Sequence, residues 1–106
     1  MYIAMNRFKV AHGGEDAFAT VWRDRETRLP EMDGFVSFRL LRGPDRPDHT
    51  LFASHTLWAS KEHFDGWVRS QAFQDSHRGD GRMGGLVLGH PEFEGFDIVQ
   101  ELVNDA

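Results

Sequence analysis

The chain has 106 residues, with 12 Lys and Arg against 17 Asp and Glu and a formal net charge of -5. A length of this size suits one domain with one core, and 40% hydrophobic with 27% charged residues argues against disorder. The acidic balance disfavours nucleic acid as a partner, no apolar run approaches the ~20 residues of a membrane span, and the lack of cysteine removes disulfides, thiolate metal sites and a cysteine nucleophile.

Tyr2 to Val10 alternates Tyr2, Ala4, Asn6, Phe8 and Val10 with Ile3, Met5, Arg7 and Lys9, which predicts a first strand. Gly13-Gly14 punctuates, Glu15 and Asp16 suit the positive end of a helix, and Ala17, Phe18, Val21, Trp22 and Leu29 then recur at helical spacing over about four turns. A second strand runs from Gly34 to Arg42, a turn from Gly43 to Asp48, and a third strand from Thr50 to Trp58. Ser60 caps a second helix carrying Phe64, Trp67 and Val68. Ser70 interrupts it before Gln71 to Arg78 continues with Phe73 and His77 on one face. Six glycines between Gly79 and Gly95 predict a loop, mobile at about 79–92, and Phe93 or Glu94 to Leu102 closes the chain as a fourth strand.

The order strand, helix, strand, strand, helix, strand is that of a ferredoxin-like α+β domain, an antiparallel sheet with both helices on one face. Phe35, Leu41, Leu51, Phe52 and Leu57 place apolar residues on both faces of the middle strands. The face without helices therefore calls for a cover, and a homodimer closing sheet against sheet is expected. Neither a repeat nor an internal boundary is visible, so residues 1–106 form a single domain. The N-terminal Met1 to Arg7 lacks the layout of a signal peptide, which points to a cytoplasmic protein.

Four residues sit awkwardly in a plain core. Asn6 shares a strand face with Tyr2, Ala4 and Phe8, where a buried amide without partners costs roughly 1–3 kcal/mol. On the pattern alone, a satisfied structural amide or an edge residue facing water is the better reading than a functional one. Trp67 lies with Phe64 on the stripe of the second helix, where an indole is more often core than a ligand platform. His77 can be a helix-end cation, a core histidine or a metal ligand. Arg25 falls where the first helix wants another apolar residue, either snorkelling to solvent or aimed at a carboxylate in a pocket. The remaining histidines, His12, His49, His55, His63 and His90, show no zinc-site spacing. Pattern alone assigns no role to His55, His90, Arg78 or Arg82.

Thr56 to Ser70, continued by Phe73 and His77, resembles the IsdG-type haem-degrading monooxygenases of the antibiotic biosynthesis monooxygenase superfamily. The superfamily pattern W-x-S-x-x-x-F stands here as Trp58, Ser60 and Phe64, and the second strand starts at Gly34-Phe35 as in that group. The haem-degrading branch adds an Asn on the first strand, a Trp on the second helix and a His about ten residues on, matched here by Asn6, Trp67 and His77. The resemblance implies a dimeric α/β-barrel built from ferredoxin-like domains. It implies His77 as axial ligand of the haem iron, Trp67 pressing on the macrocycle, and Asn6 donating a hydrogen bond to the distal iron ligand. Phe64, Phe73 and Arg25 would complete the pocket, with Arg25 serving a propionate. Haem would be both substrate and cofactor, opened with O2 and electrons from an external reductase to a linear, biliverdin-like tetrapyrrole, with iron released for iron acquisition. Three other readings compete: a cofactor-independent monooxygenase on an aromatic, polyketide-like substrate, a haem carrier or chaperone without turnover, and a non-catalytic dimer of the same fold.

Overall fold

In the computed structural model, residues 1–25, 27–71, 73 and 85–104 are described. Their elements are β1 (Tyr2–Val10), α1 (Glu15–Asp24), a 3-10 turn (Leu29–Glu31), β2 (Phe35–Asp45), β3 (Thr50–Trp58), α2 (Lys61–Val68) and β4 (Glu92–Asp97). The four strands form one antiparallel sheet in the order β2-β3-β1-β4. This is the ferredoxin-like α+β fold expected from the element order. No helix among the described residues is long and apolar enough to cross a membrane.

Residues opposite each other in an antiparallel pair share a face. The pairs Tyr2–Trp58, Ala4–Thr56, Asn6–Ser54, Phe8–Phe52 and Val10–Thr50 therefore mark one side of the sheet. Two apolar clusters grow on that side. Phe8, Val10 and Phe52 pack with Phe18 of α1, while Tyr2, Ala4 and Trp58 pack with Trp67 of α2 and Leu29 of the 3-10 turn. Asn6 and Ser54 lie between the clusters, where the two helices leave the middle of the sheet uncovered.

Local chemistry explains the element ends. Ser60 adopts extended dihedrals and its hydroxyl accepts a hydrogen bond from the His63 backbone N–H at 3.2 Å, the N-cap that the sequence announces. Gly34 takes a φ of +82°, and a Cβ there would lie 2.2 Å from the His63 ring, so both backbone and space require glycine before β2. Ser70 breaks the second helix as expected: its hydroxyl donates to the Trp67 carbonyl at 2.6 Å and accepts from the Phe73 N–H at 3.0 Å.

Three boundaries differ from the sequence reading. The first helix stops at Asp24 rather than reaching Leu29, and Arg25 is its extended C-cap. Pro30 is the reason: within a continuous helix it would lose a hydrogen bond and clash with the carbonyl four residues back, so the chain restarts as the 3-10 turn with Pro30 in its first turn. β2 continues to Asp45 through Gly43 and Pro44, because an edge strand tolerates a proline with no partner on its outer side. β4 ends at Asp97 instead of Leu102, since its last rung on β1 is the Ile98 N–H to Met1 carbonyl bond at 3.0 Å. Finally, residues 79–84 of the expected glycine-rich loop lie outside the described residues, but Leu86 and Leu88 bond to the backbone of Ala11 and Lys9, extending the contact with β1.

Candidate active site

Between the two clusters, above β1 and β3, opens a cleft of about 280 Å³. Its floor is the polar strip Asn6, Ser54 and Thr56 flanked by Ala4 and Trp58. One wall comes from the end of α1 and from β2, with Trp22 stacked on Phe38 at 5.7 Å and 20° between planes. The other comes from α2 and β4, with Phe64 stacked on Phe93 at 5.5 Å and 6°. Trp67, buried at 7% exposure, lies 6.2 Å from Trp58 and edge-on to Phe73 at 5.5 Å.

Five of the six residues singled out in the sequence thus converge on one space. Asn6, Arg25, Phe64, Trp67 and Phe73 all line it. The sixth, His77, lies outside the described residues, as do Arg78 and Arg82. Trp67 is both core and cleft wall, so the two readings of it were never exclusive. Arg25 reaches the cleft by a route the periodicity did not foresee: it is not on a helical stripe but in the extended connection, its guanidinium 4.8 Å above the Trp22 ring. Among the described lining residues it is the one charged side chain.

The sequence reading passed over Ser54, Trp22, Phe38 and Phe93. For Ser54 the signal was available, since Phe52, Ser54, Thr56 and Trp58 alternate onto one face and a small polar residue among large apolar ones is out of place there. Phe38 and Phe93 come from the two edge strands, and only the sheet order brings them to opposite walls. His55 points to the other face, opposite Met5 and Arg39 in the strand register, and His90 lies on a separate concavity with Arg7 and Lys9. Among the described residues no group of His, Asp and Glu could hold a bare metal ion.

The cleft offers flat aromatic walls, a cation on one side and neutral hydrogen-bonding groups on the floor. Such a space suits a planar apolar ligand with an anionic edge and one polar centre. The sequence profile of the antibiotic biosynthesis monooxygenases matches residues 1–79. The chain belongs to the antibiotic biosynthesis monooxygenase family. Among its relatives is a staphylobilin-producing haem oxygenase of Staphylococcus saprophyticus, 29% identical over 79 residues, which cover 74% of this chain and 75% of the relative. The fold of this monooxygenase family member is also that of the haem degrader MhuD from Mycobacterium tuberculosis, solved with two haems in its active site. That structure superposes with a TM-score of 0.75 at 24% identity, over 97% of this chain and 100% of the other. SnoaB, a cofactor-independent oxygenase from Streptomyces nogalater, shares the fold at a TM-score of 0.68 and 21% identity, over 97% of each chain.

Proposed function

We propose that this chain is a haem-degrading monooxygenase. The observation that carries the reading is the joint placement of Asn6, Trp67 and Arg25 on one aromatic cleft, together with the sequence relative that is a haem oxygenase. The side chains fit the ligand chemically: apolar rings for the macrocycle, a guanidinium for propionates, and an amide on the floor.

Haem bound here would supply O2 activation and would itself be the substrate, opened to a linear tetrapyrrole with iron released, the electrons coming from an external donor such as a reductase. Trp67, fixed by Trp58 and Phe73, presents rigid bulk that bears on a bound macrocycle. Phe64 and Phe73 hold its faces and exclude water. Arg25, braced over Trp22, orients the anionic edge. Asn6 donates from its Nδ2 toward the polar centre of the ligand, remaining neutral and therefore a donor across the physiological pH range. His77, four positions after Phe73 in sequence, would hold the haem iron, on the strength of the family resemblance. The active form is proposed to be a homodimer closed over the sheet face that carries Leu41 and Phe96, each more than a third exposed.

The test is a visible absorption titration with hemin, followed by ascorbate in air with catalase present to remove free peroxide. A saturable Soret band that bleaches to a bilin-like spectrum with chelatable iron is expected. A Soret band that survives reductant would instead make the protein a haem carrier. The fold shared with a cofactor-independent oxygenase gives a second reading, oxidation of a polycyclic aromatic in the same cleft; the absence of any saturable hemin complex would favour it.

A further inference from the structure

A row of aromatic rings leaves the cleft and ends at the edge of the sheet. Trp67 lines the cleft and stands 6.2 Å from Trp58 between ring centroids. Trp58 is 6.3 Å from Phe64, and Phe64 is 5.5 Å from Tyr2. Tyr2 and Trp58 also face each other across the β1–β3 pair, so Phe64 packs against both from above one face of the sheet. The chain has three tryptophans and one tyrosine. Two of those indoles and the one phenol, the side chains most readily oxidised in a chain without cysteine, stand in this row.

Packing accounts for a cluster of rings, but two details of this one need more. Trp58 is fully buried, and its Nε1–H has no hydrogen-bond partner among the described residues, where a buried indole N–H usually finds one. An oxidised Trp58 has no acceptor there for its proton. It stays a cation, a stronger oxidant than a phenol that sheds its proton as it is oxidised. Tyr2 supplies that phenol. Its ring is buried, and its hydroxyl runs over Gly95, where any Cβ would collide with the oxygen. β4 is an edge strand whose residues are all exposed, so the hydroxyl ends at the rim of the molecule.

We propose that Trp67, Trp58 and Tyr2 form a relay that carries oxidising equivalents out of the cleft to the sheet edge, sparing the cleft walls. The source of those equivalents rests on the haem reading above: it is hydrogen peroxide, formed when O2 reduction is not coupled to ring opening. Peroxide takes up two electrons and two protons to give two waters. Each electron leaves Trp67, which is refilled from Trp58, and Trp58 in turn from Tyr2, whose phenol loses a proton to solvent. Two passes reduce one peroxide, and the two phenol protons released balance the two taken up. Ascorbate then returns one electron and one proton to Tyr2 after each pass.

The relay itself is testable without haem. Pulse radiolysis with azidyl radicals, which oxidise indoles ahead of most other side chains, would be run on apoprotein carrying Trp22→Phe, leaving Trp58 and Trp67 as its only indoles. The tryptophanyl absorption should decay as the tyrosyl absorption rises, at one rate independent of protein concentration. Adding Tyr2→Phe should abolish the rise, and adding Trp58→Phe should abolish the coupled phase although Tyr2 is still present. In the wild-type hemin complex treated with peroxide, a freeze-quenched tyrosyl EPR signal is expected. Tyr2→Phe should lose that signal and show more oxygen added to Trp67 by mass spectrometry.

A tryptophanyl decay with no matching tyrosyl rise in the Trp22→Phe protein overturns the proposal, and that result needs no change within the row. So does a coupled phase that survives Trp58→Phe. A hemin complex in which peroxide yields no tyrosyl radical also overturns it. A working relay in a protein that forms no hemin complex would instead overturn the haem reading alone.

Discussion

At Asn6 the residue type and the residue position point in different directions. The amide stands in a strand whose even positions are otherwise Tyr2, Ala4, Phe8 and Val10, all buried, and the gap between two apolar clusters is what makes the position tolerable. The amide thus needs no core partners, and its removal should cost function rather than folding. Asn6→Ala is expected to keep hemin binding within about threefold and to lose turnover, measured by the Soret titration and the reductant assay. His77→Ala should do the reverse of the first half, losing the tight hemin complex. A His77→Ala protein with wild-type hemin affinity would remove that residue from the ligand role. Gly34 is a residue-scale constraint of another kind: it combines positive φ with contact on the His63 ring, which is why glycine precedes β2.

The elements carry two further expectations. Helix α2 has only eight residues, too short to be stable alone, so its cap matters. Ser60→Ala should lower stability by about 1 kcal/mol, seen as a lower urea midpoint with an unchanged m-value. The start of α1 is tied to β3 by the Thr50 hydroxyl, 2.7 Å from Glu15 Oε2 and 2.9 Å from Asp45 Oδ1. The hydrogen bond from Thr50, followed by those from backbone N–H groups, holds the Glu15 carboxyl below its ordinary value of 4.5. A carboxyl whose folded pKa is depressed stabilises the fold above about pH 4.5 and loses that contribution as the pH falls through the lowered value. Thr50→Val should therefore be less stable than wild type at pH 7, with the gap closing toward pH 3. Urea midpoints at the two pH values check this, and a pH-independent gap would mean that packing alone is at stake.

For the molecule as a whole, the decisive feature is the asymmetry of the sheet. One face carries both helices and the cleft, while the other leaves Leu41 and Phe96 exposed beside the Arg7–Glu94 ion pair. An apolar sheet face of this kind is normally covered. Light scattering should give a particle of twice the 12.1 kDa chain mass, and Leu41→Asp should shift it toward the monomer while leaving the cleft residues in place. A wild-type monomer at micromolar concentration would show that the face is used otherwise.

Much of the fold was legible in the sequence because strand alternation and helical spacing are local signals: β1 and β3 run over the residues that alternation marks, and Ser60 caps α2 as its residue type suggests. Element ends that depend on a neighbour were not legible. Arg25 leaves the helix because of a proline five residues on, and β4 stops where β1 offers no further partner. The candidate site shows the same division. Residue identity alone marked Asn6, Arg25, Phe64, Trp67 and Phe73, since an amide in a strand, a cation where an apolar residue is expected and the family pattern are visible without coordinates. That they face one another, that Phe38 and Phe93 close the walls from opposite edges, and that Ser54 lies across from Asn6 was decided by strand order and register. Those are set by long-range pairing, which the local periodicity of a single chain does not encode.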